Sequence, residues 1–342
     1  MGRCAERLAR ARDIVLEHGW NATSYQILNP GVELWFSRRN HAVVGYRRRS
    51  GVLVVAGAPV CPEGALTTVC AEFEEYAREW NATVCYVCAE DRLRGLLAGS
   101  GEHAVVTVGA QPAWDPRCWP QVMARKASLR AQLHRARNHG VRVDLMWSDS
   151  ELRGVLEEWV RARALPPLRF LAGVNALDGV LTDRVILVAR QEGRPVGFAV
   201  ASPARARGGY LLELLARSRQ APNGVSEMLI AASMQRFAVE GCSYATLGLV
   251  ALARAAEAHM RANPHWLQAM TRVAREHANR LYNFRGLEQF RVKLSPQRWE
   301  PVYVISNERA FSLRSLYAVG AAFTGMPPFI ALCSALIRAS AR

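Results

Sequence analysis

The sequence predicts an α/β (α+β) protein in which one layered unit, a mixed central sheet flanked by helices, occurs twice in tandem. Three observations carry that prediction. Short apolar runs of β type alternate with stretches of helical periodicity. The order β-β-β-α-β-α-β appears once in each half of the chain, without evident residue identity between the copies. A helix-compatible segment with no acidic residue separates them. The 342 residues are enough for two domains, at about 150 residues each. A composition that is 50% hydrophobic and 21% charged excludes a disordered chain.

In the first copy, segments 32–36, 41–46 and 52–57 are short β-type runs with turn residues between them. Leu66, Val69, Phe73, Tyr76, Ala77 and Trp80 recur at helical spacing, so 65–80 reads as a helix. A strand at 83–88, a short helix at 91–98 and a strand at 103–108 follow. In the second copy Asp149 is placed to cap a helix over 150–163. Strands at 185–189 and 196–201 flank a turn at Glu192-Gly193-Arg194. A strand at 210–215, a helix at 225–239, a strand at 244–249, a long helix at 266–282 and a strand at 299–305 complete the pattern.

The charge is lopsided. Lys+Arg number 44 against 29 Asp+Glu, a formal +15. Only Lys126 and Lys293 are lysines; the other cations are arginines. Such an excess implies an anionic partner. It is densest between Asp115 and Asp144, where no acid occurs and Arg125, Lys126, Arg130, His134 and Arg137 sit on a segment, 125–138, compatible with one helix. Arg130, His134 and Arg137 fall near one face, at i, i+4 and i+7. A single-sign helix is costly unless an anion lies against it, so these five residues are the candidate nucleic-acid contacts.

Cys85 and Cys88 make the only C-x-x-C among eight cysteines. It falls inside an apolar strand and no second half completes a zinc set, so the thiols read as buried and reduced, and no metal is expected. The Arg-rich N-terminus lacks the apolar core of a signal peptide, which points to the cytoplasm. Segment 315–337 is uncharged and long enough to span a bilayer. Pro327-Pro328 interrupts it, so a helical hairpin docked on the protein, or resting on a membrane surface, is expected instead.

Two segments hold residues suited to chemistry. In 210–230 a strand carries Glu213 among leucines. A loop with Arg217, Arg219, Pro222, Asn223 and Gly224 then opens a helix near Val225. Glycine-containing loops before helix N-termini bind anions. Glu213 needs a cation partner if buried, and Arg217 is the local one. The functional alternative is that the carboxylate holds or deprotonates a substrate amine or hydroxyl. In 281–301 the helix is expected to end at Tyr282-Asn283-Phe284 and give way to a loop with Arg285-Gly286. Aromatics then interleave with cations through Phe290, Lys293, Arg298 and Trp299. That composition suits a phosphate-bearing ligand with stackable groups, such as a tRNA end. No Walker A, G-x-G-x-x-G, G-x-S-x-G or H-E-x-x-H motif is present, which favours a group transfer run by positioning and charge stabilisation.

The run R-S-R-Q-A-P-N-G-V-S-E-M-L-I, the L-G-L at 247–249, and L-Y-N-F-R-G-L-E-Q-F-R-V-K-L-S-P-Q-R-W-E-P-V-Y resemble the catalytic region of phosphatidylglycerol lysyltransferases, the aminoacyl-tRNA-dependent multiple-peptide-resistance enzymes. The resemblance extends from about Asn21 to Ile305. It implies two GNAT-like acyltransferase domains at 1–115 and 148–306, the second catalytic. A basic linker helix at 116–147 joins them and an apolar helical tail occupies 307–342. It implies an aminoacyl-tRNA donor and no cofactor; the 220–224 loop also lacks the Q/R-x-x-G-x-G/A cradle that holds coenzyme A. Carried over by position, Glu213, Arg217 and Lys293 are the catalytic candidates. Asn223, Gly224, Glu227, Tyr282, Arg285, Arg298 and Trp299 are the substrate-binding candidates. The family typically has Asp where Glu213 and Glu227 stand, and it carries a multi-span membrane domain that this sequence lacks. The shifted carboxylates suit a different acceptor, and the missing membrane domain favours a soluble small molecule of a natural-product pathway; the uncharged C-terminal stretch favours phosphatidylglycerol at a membrane surface. A non-catalytic tRNA-binding protein is the reading from another class.

Overall fold

The computed structural model describes residues 2–39, 41–145, 150–163, 170–171, 173–277, 284–328 and 330. Asp149, Tyr282, Asn283, Cys333 and the end of the uncharged stretch lie outside the described residues.

The strands are β1 (Glu33–Phe36), β2 (Val43–Arg49), β3 (Val52–Ala56), β4 (Thr83–Ala89), β5 (Ala104–Trp114), β6 (Arg142–Leu145), β7 (Val185–Gln191), β8 (Arg194–Ala204), β9 (Gly209–Arg217), β10 (Tyr244–Thr246), β11 (Val250–Ala251) and β12 (Arg298–Ser306). They form a single sheet in the order β1-β2-β3-β4-β12-β5-β10-β9-β8-β7-β6, with β11 beside β5. Among the described residues, only β3/β4 and β9/β10 are parallel. Sequence order attaches segment 298–306 to the second half, but its hydrogen bonds attach it to the first. It pairs antiparallel with both β4 and β5, separating them, while β5 pairs in turn with β10.

The helices are α1 (Gly2–His18), α2 (Leu66–Glu79), α3 (Asp91–Leu97), α4 (Trp119–Arg125), α5 (Ala127–Asn138), α6 (Ser150–Arg161), α7 (Val225–Val239), α8 (Glu257–Met260), α9 (His265–His277), α10 (Phe284–Lys293) and α11 (Leu313–Thr324). Both faces of the sheet are covered, as runs such as Val52-Leu53-Val54-Val55 require. Val52 and Val54 pack with α1 and α11, whereas Leu53 and Val55 pack with α2 and α3. In the second half, α5 and α7 cover one face and α6 the other.

Two helical expectations change, and one helix has no counterpart among them. Helix α1 contributes Ala11, Ile14 and Val15 to the core, although its arginines give the segment a polar reading. The basic segment is two helices, broken where Lys126 leaves the helical region at φ −107, ψ 85. Segment 284–293 is helix α10 rather than a loop, because Leu287, Phe290 and Leu294 all face apolar clusters. The start of the uncharged C-terminal stretch docks: Ala318 and Ala322 of α11 are fully buried against the first half. No helix of the described residues is long and apolar enough to cross a membrane.

Candidate active site

The two parallel strand pairs end differently. Strands β3 and β4 stay in register over five residue pairs, Val52↔Thr83 to Ala56↔Val87, and the Gly57 amide extends the ladder to the Val87 carbonyl. Strands β9 and β10 pair only at Tyr244↔Gly209, Ala245↔Tyr210 and Thr246↔Leu211, then part. Beyond that point β9 runs on through Glu213 to Arg217. The other chain turns at Gly248 (φ +75), whose amide is capped by Thr246 Oγ1 at 3.1 Å. The Leu247 carbonyl, freed from the ladder, accepts from Arg291 Nη2 at 2.9 Å. The separation leaves a wedge between two strand ends, the kind of place where an open sheet admits a ligand.

Glu213 stands on a β-bulge at the head of this wedge. Val200 pairs with Leu214 and Ala201 with Leu212, so Glu213 is the extra residue. Bulges re-aim side chains beside active sites. Here the bulge turns the carboxylate into the protein. Its Oε1 accepts from Arg184 Nε at 2.8 Å and from the Ser202 hydroxyl, and its Oε2 accepts from Gln26 Nε2 at 2.8 Å. The Glu213 and Arg184 side chains are both 0% exposed. Arg184 also donates to Asn29 Oδ1 and the Val180 carbonyl, both at 2.6 Å. The cation partner of Glu213 is therefore Arg184. Arg217 is exposed at the end of β9 and, among the described residues, donates to the Ala221 carbonyl at 3.4 Å. The reason is the alternation of the strand, which sends positions 213 and 217 into different surroundings once the bulge has shifted the register.

The loop before α7 is shaped by Gly224. It adopts φ +98, and a Cβ there would overlap the Gln132 carbonyl oxygen of α5. Helix α5 thus packs directly on the entrance to α7, and Asn223 beside it is exposed. The first turn of α7 supplies its own anion, the buried Glu227, which suits the positive end of the helix dipole. Lys293 Nζ, in the last turn of α10, donates to Glu227 Oε1 at 2.9 Å with 30% of its side chain exposed. The structure therefore brings together Glu227 and Lys293, two candidates 66 residues apart.

Arg298 and Trp299 lie on β12, opposite Ala113 and Pro112 of β5. Arg298 Nε donates to Glu300 Oε1 at 2.8 Å, and Trp299 packs against the small cluster around Val250 and Met260. Arg285 is an exposed residue of α10. Of the linker cations, Arg130 is committed to the C-terminal carbonyls of α4, Met123 at 2.7 Å and Ala124 at 2.5 Å. Arg125, His134 and Arg137 are exposed and Lys126 is half-buried. Arg130, His134 and Arg137 border a cleft of about 310 Å³ floored by Met123, Leu133 and Met228, between α4, α5 and α7.

A second buried network closes the corresponding end of the first half. Arg207 donates to Glu90, to Glu300 Oε1 at 2.7 Å and to the Tyr244 hydroxyl at 3.0 Å, with its guanidinium over the Tyr244 ring at 3.9 Å. Gln111 Nε2 adds a bond to Glu300 Oε2 at 3.1 Å. Burial raises the Glu90 carboxyl above its ordinary value, with Arg207 opposing. For Glu300 burial acts in the same upward direction, but Arg207 and Arg298 outweigh it and hold the carboxyl low. Neither Arg184 nor Arg207 stands out in the sequence. Each is one arginine among many, and its acid partner is remote in the chain. The one usable signal is an arginine immediately before an apolar strand, as at Arg184.

A family model described as phosphatidylglycerol lysyltransferase, C-terminal, matches residues 12–306. The chain belongs to that family. A phosphatidylglycerol lysyltransferase of Bacillus subtilis is 24% identical over 305 residues, covering 87% of this chain and 34% of that protein. An MprF-like domain protein of Mycobacterium tuberculosis is 26% identical over 228 residues, covering 62% of this chain and 47% of the other. Among solved structures, L-PGS from Bacillus licheniformis superposes with TM-score 0.72 at 22% identity, covering 98% of this chain and 97% of that one. The C-terminal DUF2156 domain of an Agrobacterium fabrum protein gives TM-score 0.76 at 22% identity, covering 94% and 98%. These neighbours share the mixed sheet flanked by helices. The chain spans about a third of the length of the curated phosphatidylglycerol lysyltransferases that it matches.

Proposed function

We propose that this chain is an aminoacyltransferase that moves an amino acid from an aminoacyl-tRNA to a hydroxyl of phosphatidylglycerol. The observation that carries the reading is the family match over residues 12–306. Several matching relatives are named for phosphatidylglycerol, which supports the lipid over the small-molecule acceptor that the sequence favours. The wedge between β9 and β10 is the reaction site in this reading. The acceptor oxygen attacks the ester carbonyl, a new ester bond forms, and the bond to the tRNA ribose oxygen breaks as the acceptor's proton passes to that oxygen. Lys293, partly exposed and steadied by Glu227, offsets negative charge developing on the carbonyl oxygen. Glu213 is a positioning residue: with its oxygens committed to Arg184, Ser202 and Gln26, it fixes the bulge that shapes the wedge. The exposed cations of α4 and α5 supply phosphate contacts for the tRNA.

The test is incubation of the full chain with phosphatidylglycerol vesicles and a mixture of radiolabelled aminoacyl-tRNAs, followed by extraction of the lipid. Label in the lipid phase that disappears with Lys293→Ala is the expected result. Equal binding of charged and uncharged tRNA with no transfer would make the protein a tRNA-binding module and sink the proposal.

A further inference from the structure

Outside the wedge, one group of side chains has the composition and spacing of a metal site. Glu17 and His18 form the last residues of α1, and His41 stands two residues before β2. One ligand atom from each lies within 4.8 Å of the others. His18 Nε2 is 3.4 Å from Glu17 Oε1, and His41 Nε2 is 3.6 Å from Glu17 Oε2. The two imidazoles meet edge to face, 5.8 Å between centroids at 81°. Ligand atoms held about 2.0–2.1 Å from a tetrahedral ion are roughly 3.4 Å from one another. The imidazoles thus stand at coordination spacing from the two carboxylate oxygens, one on each. The C-terminal end of α1 adds the negative pole of its dipole, which favours a cation.

We propose that Glu17, His18 and His41 form a binding site for a divalent transition metal of the zinc class, with the remaining coordination open to water. The site has a structural consequence. Immediately after His18 the chain enters the segment that fills the end of β3/β4, where Asn21 Nδ2 and Thr23 Oγ1 crowd Gly57. Asn21 also donates to the Cys88 carbonyl at 2.9 Å. A metal on His18 and His41 would fasten that segment to the head of β2. Sequence spacing hides the site, because two ligands come from a helix end and the third from the turn ahead of β2, 23 residues later. The inference is independent of the transferase reading.

Zinc titration of the metal-stripped full chain, by calorimetry and by thermal unfolding, tests it. A Cys4→Ser background removes the exposed thiol as a competing ligand. One equivalent of zinc should bind and raise the unfolding temperature. Glu17→Gln and His41→Gln should each weaken binding by about tenfold or more. Both side chains are more than half exposed, so neither variant endangers the fold. No saturable binding in the Cys4→Ser parent, or equal affinity in the parent and both variants, overturns the proposal.

Discussion

The two halves of this protein build the same strand–helix–strand unit and finish it in opposite ways. In the first half β3 and β4 stay zipped to their ends. Asn21 and Thr23 fill the space above Gly57, and the Glu90–Arg207–Glu300 cluster seals the neighbouring end of the sheet. In the second half β9 and β10 part after three residue pairs, and a bulge and a glycine turn keep them apart. One unit is spent on closure and the other on opening. The difference is made by a few residues, in the strands as well as in the loops: Asn21, Thr23 and Glu300 close one end, and the bulge at Glu213 and the turn at Gly248 mark the other.

Breaking the closed half should cost the most stability. Arg207→Met leaves the buried Glu90 without its cation and should lower unfolding stability by about 3–5 kcal/mol near neutral pH, measured by chemical denaturation. The sign of its pH dependence follows from Glu90. Burial already raises that carboxyl, and removing Arg207 removes the force that opposes the rise. The penalty on the charged form is then relieved as pH falls through the raised value, so the deficit should shrink on acidification. A deficit constant between neutral pH and about pH 5 would contradict this account. Wild-type Glu300 behaves in the opposite sense: its lowered value stabilises the fold above the ordinary carboxylate range, and that contribution fades as pH drops below it.

Paired glycine substitutions sharpen the contrast. Gly57→Ala adds a Cβ at φ +73 only 2.7 Å from Thr23 Oγ1, and about 2–3 kcal/mol of destabilisation is expected. Gly248→Ala, at φ +75 with Leu211 Cδ1 at 3.3 Å, should cost about 1–2 kcal/mol. Transfer activity should follow the reverse order, because Gly248 shapes the wedge. Lys293→Ala should cost about 1–2 kcal/mol, since it leaves the buried Glu227 without its cation while the start of α7 still favours that charge, and should slow transfer roughly 100-fold. The smallest structural effect belongs to Arg137→Ala on α5. Stability should stay within about 0.5 kcal/mol, while the slope of log tRNA affinity against log salt should fall by about one. An unchanged slope removes Arg137 from the tRNA surface.

Much of the fold can be read from the sequence because it rests on local periodicity. The strand at 52–57 and the helix at 65–80 appear nearly as expected, with Leu66, Val69, Phe73 and Ala77 buried but Trp80 exposed. The β-β-β-α-β-α-β order is met in the first half, whereas the strand expected to finish the second copy, 298–306, pairs with β4 and β5 instead. Three kinds of feature escape. Helix α1 escapes because arginines outnumber its three buried residues. Helix α10 escapes because N-F-R-G reads as a turn; Gly286 costs about 1 kcal/mol in a helix, but burial of Leu287, Phe290 and Leu294 offsets it. The partner of Glu213 escapes because a bulge is a property of two strands in register, and Arg184 lies 29 residues away. Lys293 and Glu227 are each legible as candidates from the residues and the resemblance, but only the packing of α10 against α7 makes them a pair.

The placement of β12 between β4 and β5 has a consequence for how the chain comes to be folded. A ribosome making this protein releases β4 and β5 long before residues 298–306 exist. Until then the strands of the first half have an unfilled slot between them, with unpaired backbone groups along both sides. The half that seals itself most tightly in the finished molecule must therefore wait longest to be complete. Pairings separated by some 200 residues make for slow closure and a lengthy interval in which those edges are open to other chains. During synthesis, the braced half is the vulnerable one.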